Sequence, residues 1–216
     1  MAIGDHLRDV MDLYGSPKCP HTNAVLIAAG EKGVDINSHV EDDWGPSSSI
    51  RSMSPLGIGP VLKDRSAVNI GVVSCMSYLD DKGFGPSLVH RNGVTRARMF
   101  QEITIAQQTD CSDDAALAAA LDQLEATLNS PLGNMKGDYC VGQYTLADCA
   151  WAGVCQVATN MGKGTAVSSR SAVNTWFAAV QSHPSTSKEA INPFSCLSTK
   201  ADHDANSMRD VRINTA

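Results

Sequence analysis

No two cysteines in this sequence stand in a Cys-x-x-Cys pair. The seven that are present, at 19, 75, 111, 140, 149, 155 and 196, form an odd set whose spacing fits neither a zinc site nor a disulfide framework. Reduced thiols of a cytoplasmic protein are the reading that remains. Blocks of Lys and Arg are also missing, and the formal net charge is −6; both argue against a nucleic-acid partner. No run of about 18 apolar residues occurs, so no membrane-spanning helix is expected. The opening residues, MAIGDHLRDV, lack a basic region followed by an apolar core and do not read as a signal peptide. There is no internal repeat. Global disorder is excluded by a composition that is 43% hydrophobic and 19% charged. A length of 216 residues suits one large domain or two small ones.

What is present is organised around Met11 to Gly33. Val10 to Tyr14 reads as a short strand, followed by a Gly-Ser-Pro turn and then Cys19-Pro20. Proline suits the first position of a helix, where its missing N–H would be unpaired anyway. Cys19 therefore belongs at or beside the N-cap of a helix running to about Lys32, with Gly33 as its stop. That helix reads as one-sided, with Glu31-Lys32 as a charged end. A thiol at a helix N-terminus faces unpaired N–H groups and the positive end of the macrodipole, which favour thiolate. His21 could support that thiolate or be an exposed first-turn residue, and Cys19 could equally be a small buried apolar side chain.

Further along, Val34 to Val40 reads as a second strand and Gly45 to Ser49 as loop. Pro60-Val61-Leu62 starts a third strand, since proline is tolerated at a strand's first residue. A turn at Lys63 to Ser66 leads into a returning strand, Ala67 to Ile70. A helix over Val72 to Lys82 completes a strand–helix–strand–loop–strand–strand–helix order, which is a thioredoxin-like arrangement. Gly83 to Ser87 then breaks the chain.

Helices are expected over Thr95 to Gln108 and Asp113 to Asn129. The second of these carries a Leu117, Leu121, Leu124, Leu128 stripe that reads as core. Thr145-Leu-Ala-Asp148 is a capping box, read as structural, that opens a helix reaching about Met161. Gly162 to Ser169 reads as loop, and Ala172 to Ser182 as the last helix. The divisions are then 11–83 for an α/β thioredoxin-like domain, 84–93 for a linker, 94–195 for an all-helical domain and 196–216 for a polar tail.

Several stretches line up in order: Leu13-Tyr-Gly-Ser-Pro-Lys-Cys-Pro20, Ser54-Pro-Leu-Gly-Ile-Gly-Pro-Val-Leu-Lys-Asp64, Ser77-Tyr-Leu-Asp-Asp81, Tyr139-Cys-Val-Gly-Gln-Tyr-Thr-Leu-Ala-Asp148, and Trp176-Phe177 with His183-Pro184. Over roughly residues 11 to 195 this resembles the cytosolic glutathione transferase superfamily, nearest its phi- and theta-like members. The resemblance implies a thioredoxin-like domain followed by a helical one, a cis peptide at Gly59–Pro60, a cytoplasmic homodimer, and a role in detoxification with glutathione as co-substrate. A small hydrophobic or thiol/disulfide substrate would bind between the domains, against the first strand–helix turn and the helix around Met99 to Gln107.

Residue by residue, the implied site departs from the pattern. Phi-like members have a catalytic serine where Cys19 stands. Cys19-Pro-His-Thr22 looks more like the omega-class, dehydroascorbate-reductase-like and glutaredoxin sites, which exchange thiols and disulfides. Ser16 is the second nucleophile or donor candidate and Tyr14 a weaker third. Gly59 and Pro60 hold the place where backbone pairs with the cysteinyl part of glutathione, although Val or Ile usually stands at Gly59. The acidic (or Gln) and Ser pair that holds the γ-glutamyl end is replaced by Gly71 and Val72. The basic residue for the glycyl carboxylate falls at Pro46, with Arg51 the nearest alternative. Losing two charge-assisted bonds would cost about 3–6 kcal/mol, weakening binding to roughly millimolar. Three readings follow: a glutathione-dependent transferase or thiol transferase at Cys19, a non-catalytic ligand-binding or subunit protein that kept the fold, and an enzyme using the same cleft on another substrate.

Overall fold

The computed structural model describes residues 10–41, 48–129 and 137–183. Pro46, Pro184, Cys196 and the segment 196–216, all named above, lie outside the described residues.

Four strands form one mixed sheet in the order β2-β1-β3-β4. β1 (Met11–Gly15) runs parallel to β2 (Ile36–Val40) and antiparallel to β3 (Val61–Asp64), with Leu13 opposite Leu62. β4 (Ala67–Ile70) returns antiparallel to β3 through a turn at Arg65, whose φ is 54°. α1 (Pro20–Glu31) connects β1 to β2, and α3 (Val72–Lys82) follows β4. The Gly59–Pro60 peptide is cis, as the resemblance implies. This is a thioredoxin-like unit, and among the described residues the chain continues into helices alone. They are α4 (Gly93–Gln108), α5 (Asp114–Asn129), α6 (Leu146–Ala158), α7 (Gly164–Ser168) and α8 (Ser171–Gln181). Among the described residues no helix is long and apolar enough to cross a membrane.

Three expectations fail. Within the expected loop Gly162 to Ser169, the segment Gly164–Ser168 is helical. The chain kinks at Gly162 between the end of α6 and α7. Gly162 makes the change of direction with φ 79°, a left-handed conformation that glycine takes without a Cβ penalty. A short helix, α2 (Ser49–Met53), begins inside the expected loop. Ser48 caps it by accepting the Arg51 N–H at 3.1 Å.

The third correction concerns α1. It is buried all round, from Thr22 to Ala29 and on through Glu31, because the sheet and α3 cover one side and α6 the other. A helix enclosed on every side needs no polar stripe. Its supposed charged end is buried too: Lys32 is 2% exposed and donates to Asp80 Oδ1 and to the Pro86 carbonyl, each at 3.0 Å. Asp80 also accepts from the Ser87 hydroxyl and the Leu88 N–H. The chain leaving the sheet domain is thus fastened to the end of α1. Glu31 accepts from His183 Nδ1 at 2.9 Å, tying α1 to the segment after α8.

The capping box forms around a fully buried carboxylate. Asp148 Oδ2 accepts the Thr145 N–H at 2.8 Å and the Thr145 hydroxyl at 3.1 Å. Its Oδ1 accepts the Cys140 N–H at 2.9 Å and the Trp176 indole N–H at 2.8 Å. One side chain therefore joins the 137–142 turn, the start of α6 and α8. Burial pushes its pKa up against these donors. The leucine stripe of α5 is core: Leu117, Leu121 and Leu124 are buried.

Candidate functional site

β1 ends at Gly15, and the chain turns through Ser16-Pro17-Lys18 before Cys19 caps α1 with extended backbone, φ −92° and ψ 121°. The turn is closed from three directions. Cys19 N–H donates to the Ser16 carbonyl at 3.0 Å, and Lys18 N–H to the Ser16 hydroxyl at 3.2 Å. Asn23, buried one turn into the helix, donates to the carbonyls of Pro17 and Cys19, both at 2.9 Å. Ser16 is itself buried beneath the loop, so its hydroxyl sits as a turn acceptor rather than at the surface. Tyr14 stacks on His39, ring centroids 4.4 Å apart.

Cys19 is half-buried. Burial pushes its thiol up. The neighbouring His21 imidazole, with the N–H groups of Thr22 and His21 at the helix start, outweighs that and holds the thiol below the ordinary cysteine range. The effect is mutual: Cys19 raises the His21 pKa. The ring nitrogen Nε2 meets the Gln107 carbonyl at 3.1 Å. Gln107 lies in the last turn of α4, where helix carbonyls have no partner within the helix and the dipole is negative. The His21 ring thus links the start of α1 to the last turn of α4.

The five other described cysteines are buried, and none is matched to the task. Burial pushes Cys75 up to about 12 and Cys111 up to about 11, and raises Cys140, Cys149 and Cys155 as well. The position three after Cys19 is Thr22, not a second cysteine.

α1 is held against the helical domain by Gly153 of α6. A Cβ built there would lie 2.4 Å from the Pro20 carbonyl oxygen and 2.9 Å from the Ala24 nitrogen. Sequence reading missed Gly153, Asn23 and the Gln107 carbonyl. A glycine inside the apolar α6 was the one available signal, since an interior helix glycine calls for a packing reason.

The remaining candidates are spread around the cis-proline. Gly59 is buried, and its N–H and C=O meet no partner among the described residues. Gly71 caps α3 with φ 80° and ψ 158°, and its N–H donates to the Pro60 carbonyl at 2.8 Å. That conformation is close to glycine-only. Val72 is 1% exposed and packs into the core. Neither side chain offers a polar group. Arg51, the alternative cation, donates to the Pro55 carbonyl at 3.0 Å and lies over Gly57. Around the cis-proline, the Gly59 backbone groups thus meet no partner among the described residues, and Gly71 and Val72 present no polar side chain.

No family model matches the chain. It is 33% identical over 91 residues to a stringent starvation protein A homolog of Coxiella burnetii, a match spanning 42% of this chain and 44% of that protein. A homolog of the same name from Pasteurella multocida is 26% identical over 159 residues, 69% of this chain and 75% of its own length. Among solved structures, a glutathione S-transferase of Methylobacillus flagellatus with bound glutathione superposes with a TM-score of 0.69. Its identity is 18%, over 87% of this chain and 98% of that one. These solved structures share the fold of glutathione transferases.

Proposed function

We propose that this chain, which has the glutathione transferase fold, is a glutathione-dependent thiol transferase with Cys19 as its single nucleophile. The observation that carries the reading is the half-buried Cys19 at the N-cap of α1, with His21 fixed beside it by the Gln107 carbonyl, set against five thiols that burial pushes up. The step balances with one cysteine. The Cys19 thiolate attacks the glutathionyl sulfur of a mixed disulfide R–S–SG; the S–S bond breaks and RS⁻ leaves, taking a proton from solvent or from the His21 imidazolium. A thiolate of free glutathione then attacks the Cys19-bound disulfide, releasing oxidised glutathione and restoring Cys19. Gly59 would pair with the cysteinyl backbone of glutathione, which the Methylobacillus flagellatus enzyme holds in its structure. A cytoplasmic homodimer with a detoxifying role, divided near residues 84–93, belongs to the same reading.

The test is mass spectrometry after exposure to oxidised glutathione. A 1:1 glutathione adduct on Cys19, reversed by reduced glutathione and lost in Cys19→Ala, is expected; no adduct in the wild type would refute the reading.

A non-catalytic binding or subunit role is favoured by a different observation, the missing polar side chains at Gly71 and Val72. It would be supported by an unmodified Cys19 together with no glutathione binding in calorimetry.

A further inference from the structure

β1 alternates, so Met11 and Leu13 enter the core while Asp12 and Tyr14 stand on the other face of the sheet. Three polar side chains meet on that face. Asn37 and His39, two residues apart on β2, share it, and Asp12 is paired in register with Asn37. Asp12 Oδ1 lies 2.8 Å from His39 Nε2 and 2.9 Å from Asn37 Nδ2, and Nδ2 lies 3.1 Å from Nε2. The three atoms form a nearly equilateral triangle that water reaches, with Asp12 and His39 each 38% exposed. We propose that Asp12, Asn37 and His39 form a three-ligand site for a divalent transition-metal ion such as zinc.

Hydrogen bonds alone cannot satisfy this triangle while Asp12 is ionised. If Nε2 carries a proton and donates it to Asp12, the Asn37 N–H on its other side meets a second donor. If Nε2 is bare and accepts from Asn37, it faces the Asp12 oxygen lone pair to lone pair. Turning the Asn37 amide brings its carbonyl oxygen to the corner, where Nε2–H serves it, but two oxygens then stand 2.9 Å apart. A cation over the triangle removes the conflict. It takes one lone pair from each corner: carboxylate oxygen, amide oxygen and imidazole nitrogen. Ligands about 2.1 Å from an ion and at right angles to one another are about 3.0 Å apart, so the spacing is that of one face of an octahedron. Three positions stay open to water or to a further ligand.

The sheet holds the set in place. Tyr14, opposite His39 in register, stacks on the imidazole with ring centroids 4.4 Å apart and planes 10° from parallel. Ligands carried on paired strands lose little further freedom when an ion arrives. One group works against the ion: Lys63 of β3 lies opposite Asp12 on the same face. Because the third ligand is an amide, no trio of His, Cys, Asp or Glu marks the place among the described residues. The site shares no ligand with Cys19 and does not depend on the thiol reading.

The experiment is calorimetric titration of the full chain with zinc, repeated in Cys19→Ala so that the thiol is not the ligand. One zinc should bind at this site in both proteins. His39→Phe, which keeps a ring on Tyr14, and Asp12→Ala should each weaken that binding at least about tenfold. Asn37→Asp, which replaces the amide with a second carboxylate, and Lys63→Gln should tighten it. Cobalt(II) bound to Cys19→Ala should show the weak visible bands of an octahedral site of nitrogen and oxygen donors. Thermal scans of each variant separate a lost ligand from a lost fold. No saturable zinc uptake below about 1 mM overturns the proposal. So does uptake that is equal in the wild type and in folded His39→Phe and Asp12→Ala, or that disappears in Cys19→Ala.

Discussion

Gly153 of α6 lies against the Pro20 carbonyl so closely that a single added carbon would sit 2.4 Å from it. Pro20 follows the candidate nucleophile directly, so the helical domain bears on the first turn of the nucleophile's own helix. Gly153→Ala should therefore do two things. Crowding a packed helix contact typically costs about 1–3 kcal/mol, and thermal melting should show a loss in that range. The same push should displace Cys19 from His21 and slow its alkylation at neutral pH. An alanine variant with wild-type stability would show that the two helices have room to part.

The pH dependence of Cys19 follows from two opposite shifts, the thiol lowered and the imidazole raised. A lowered thiol contributes stability that is complete above its unfolded value, about 8.5, and is lost as pH falls through the folded one. A raised imidazole contributes stability that is complete below its unfolded value, about 6.5, and is lost as pH rises through the folded one. The two groups interact, so the observed midpoints belong to the pair. Iodoacetamide should react with Cys19 with a midpoint below the free-cysteine value of about 8.5. In His21→Gln the midpoint should move upward toward the free-cysteine value. A midpoint that stays in place in His21→Gln would remove the imidazole from the account.

The glutathione anchors can be tested by restoration. The double variant Gly71→Glu with Val72→Ser should tighten glutathione binding by about tenfold or more over a roughly millimolar wild type. The structure adds a cost that residue types alone do not show. Gly71 sits at φ 80° and ψ 158°, where a side chain is strained by about 1–3 kcal/mol, and Val72 gives up core packing. Tighter binding should come with a lower melting temperature, read by calorimetric titration and a thermal scan of the same protein. Tight binding by the wild type would mean that the γ-glutamyl end is held by residues other than 71 and 72.

Thr145 and Asp148 are expected to matter for stability alone. Thr145→Ala removes one of the four donors to Asp148 and should cost about 0.5–2 kcal/mol with alkylation of Cys19 unchanged. Asp148→Ala should cost more, because it orphans the buried N–H groups of Cys140, Thr145 and Trp176 together. Wild-type melting combined with lost thiol reactivity would contradict the structural role.

Local chemistry in the sequence determined a good deal. Pro20 after Cys19 fixed where α1 begins, since a proline without an N–H fits the first helical turn and few other places. Alternation and turn residues located β3 and β4, the repeat of leucines marked the buried face of α5, and Thr145 with Asp148 marked the start of α6. Each of these signals acts within a few residues, so it is complete before the chain folds. Tertiary structure decided the rest, because the partners lie far apart along the chain. Glu31 and Lys32 look like a solvated helix end until His183, Asp80 and Pro86 are brought against them. His21 is an ordinary first-turn residue until the last turn of α4 places the Gln107 carbonyl on its second nitrogen. Lys163 sits in a stretch whose glycines read as loop, until the carbonyls of Cys111 and Ser112 capture its ammonium. Desolvation and long-range pairing depend on what the folded chain surrounds, so the state of the Cys19 thiol is set by the packing of the helical domain as much as by the helix it caps.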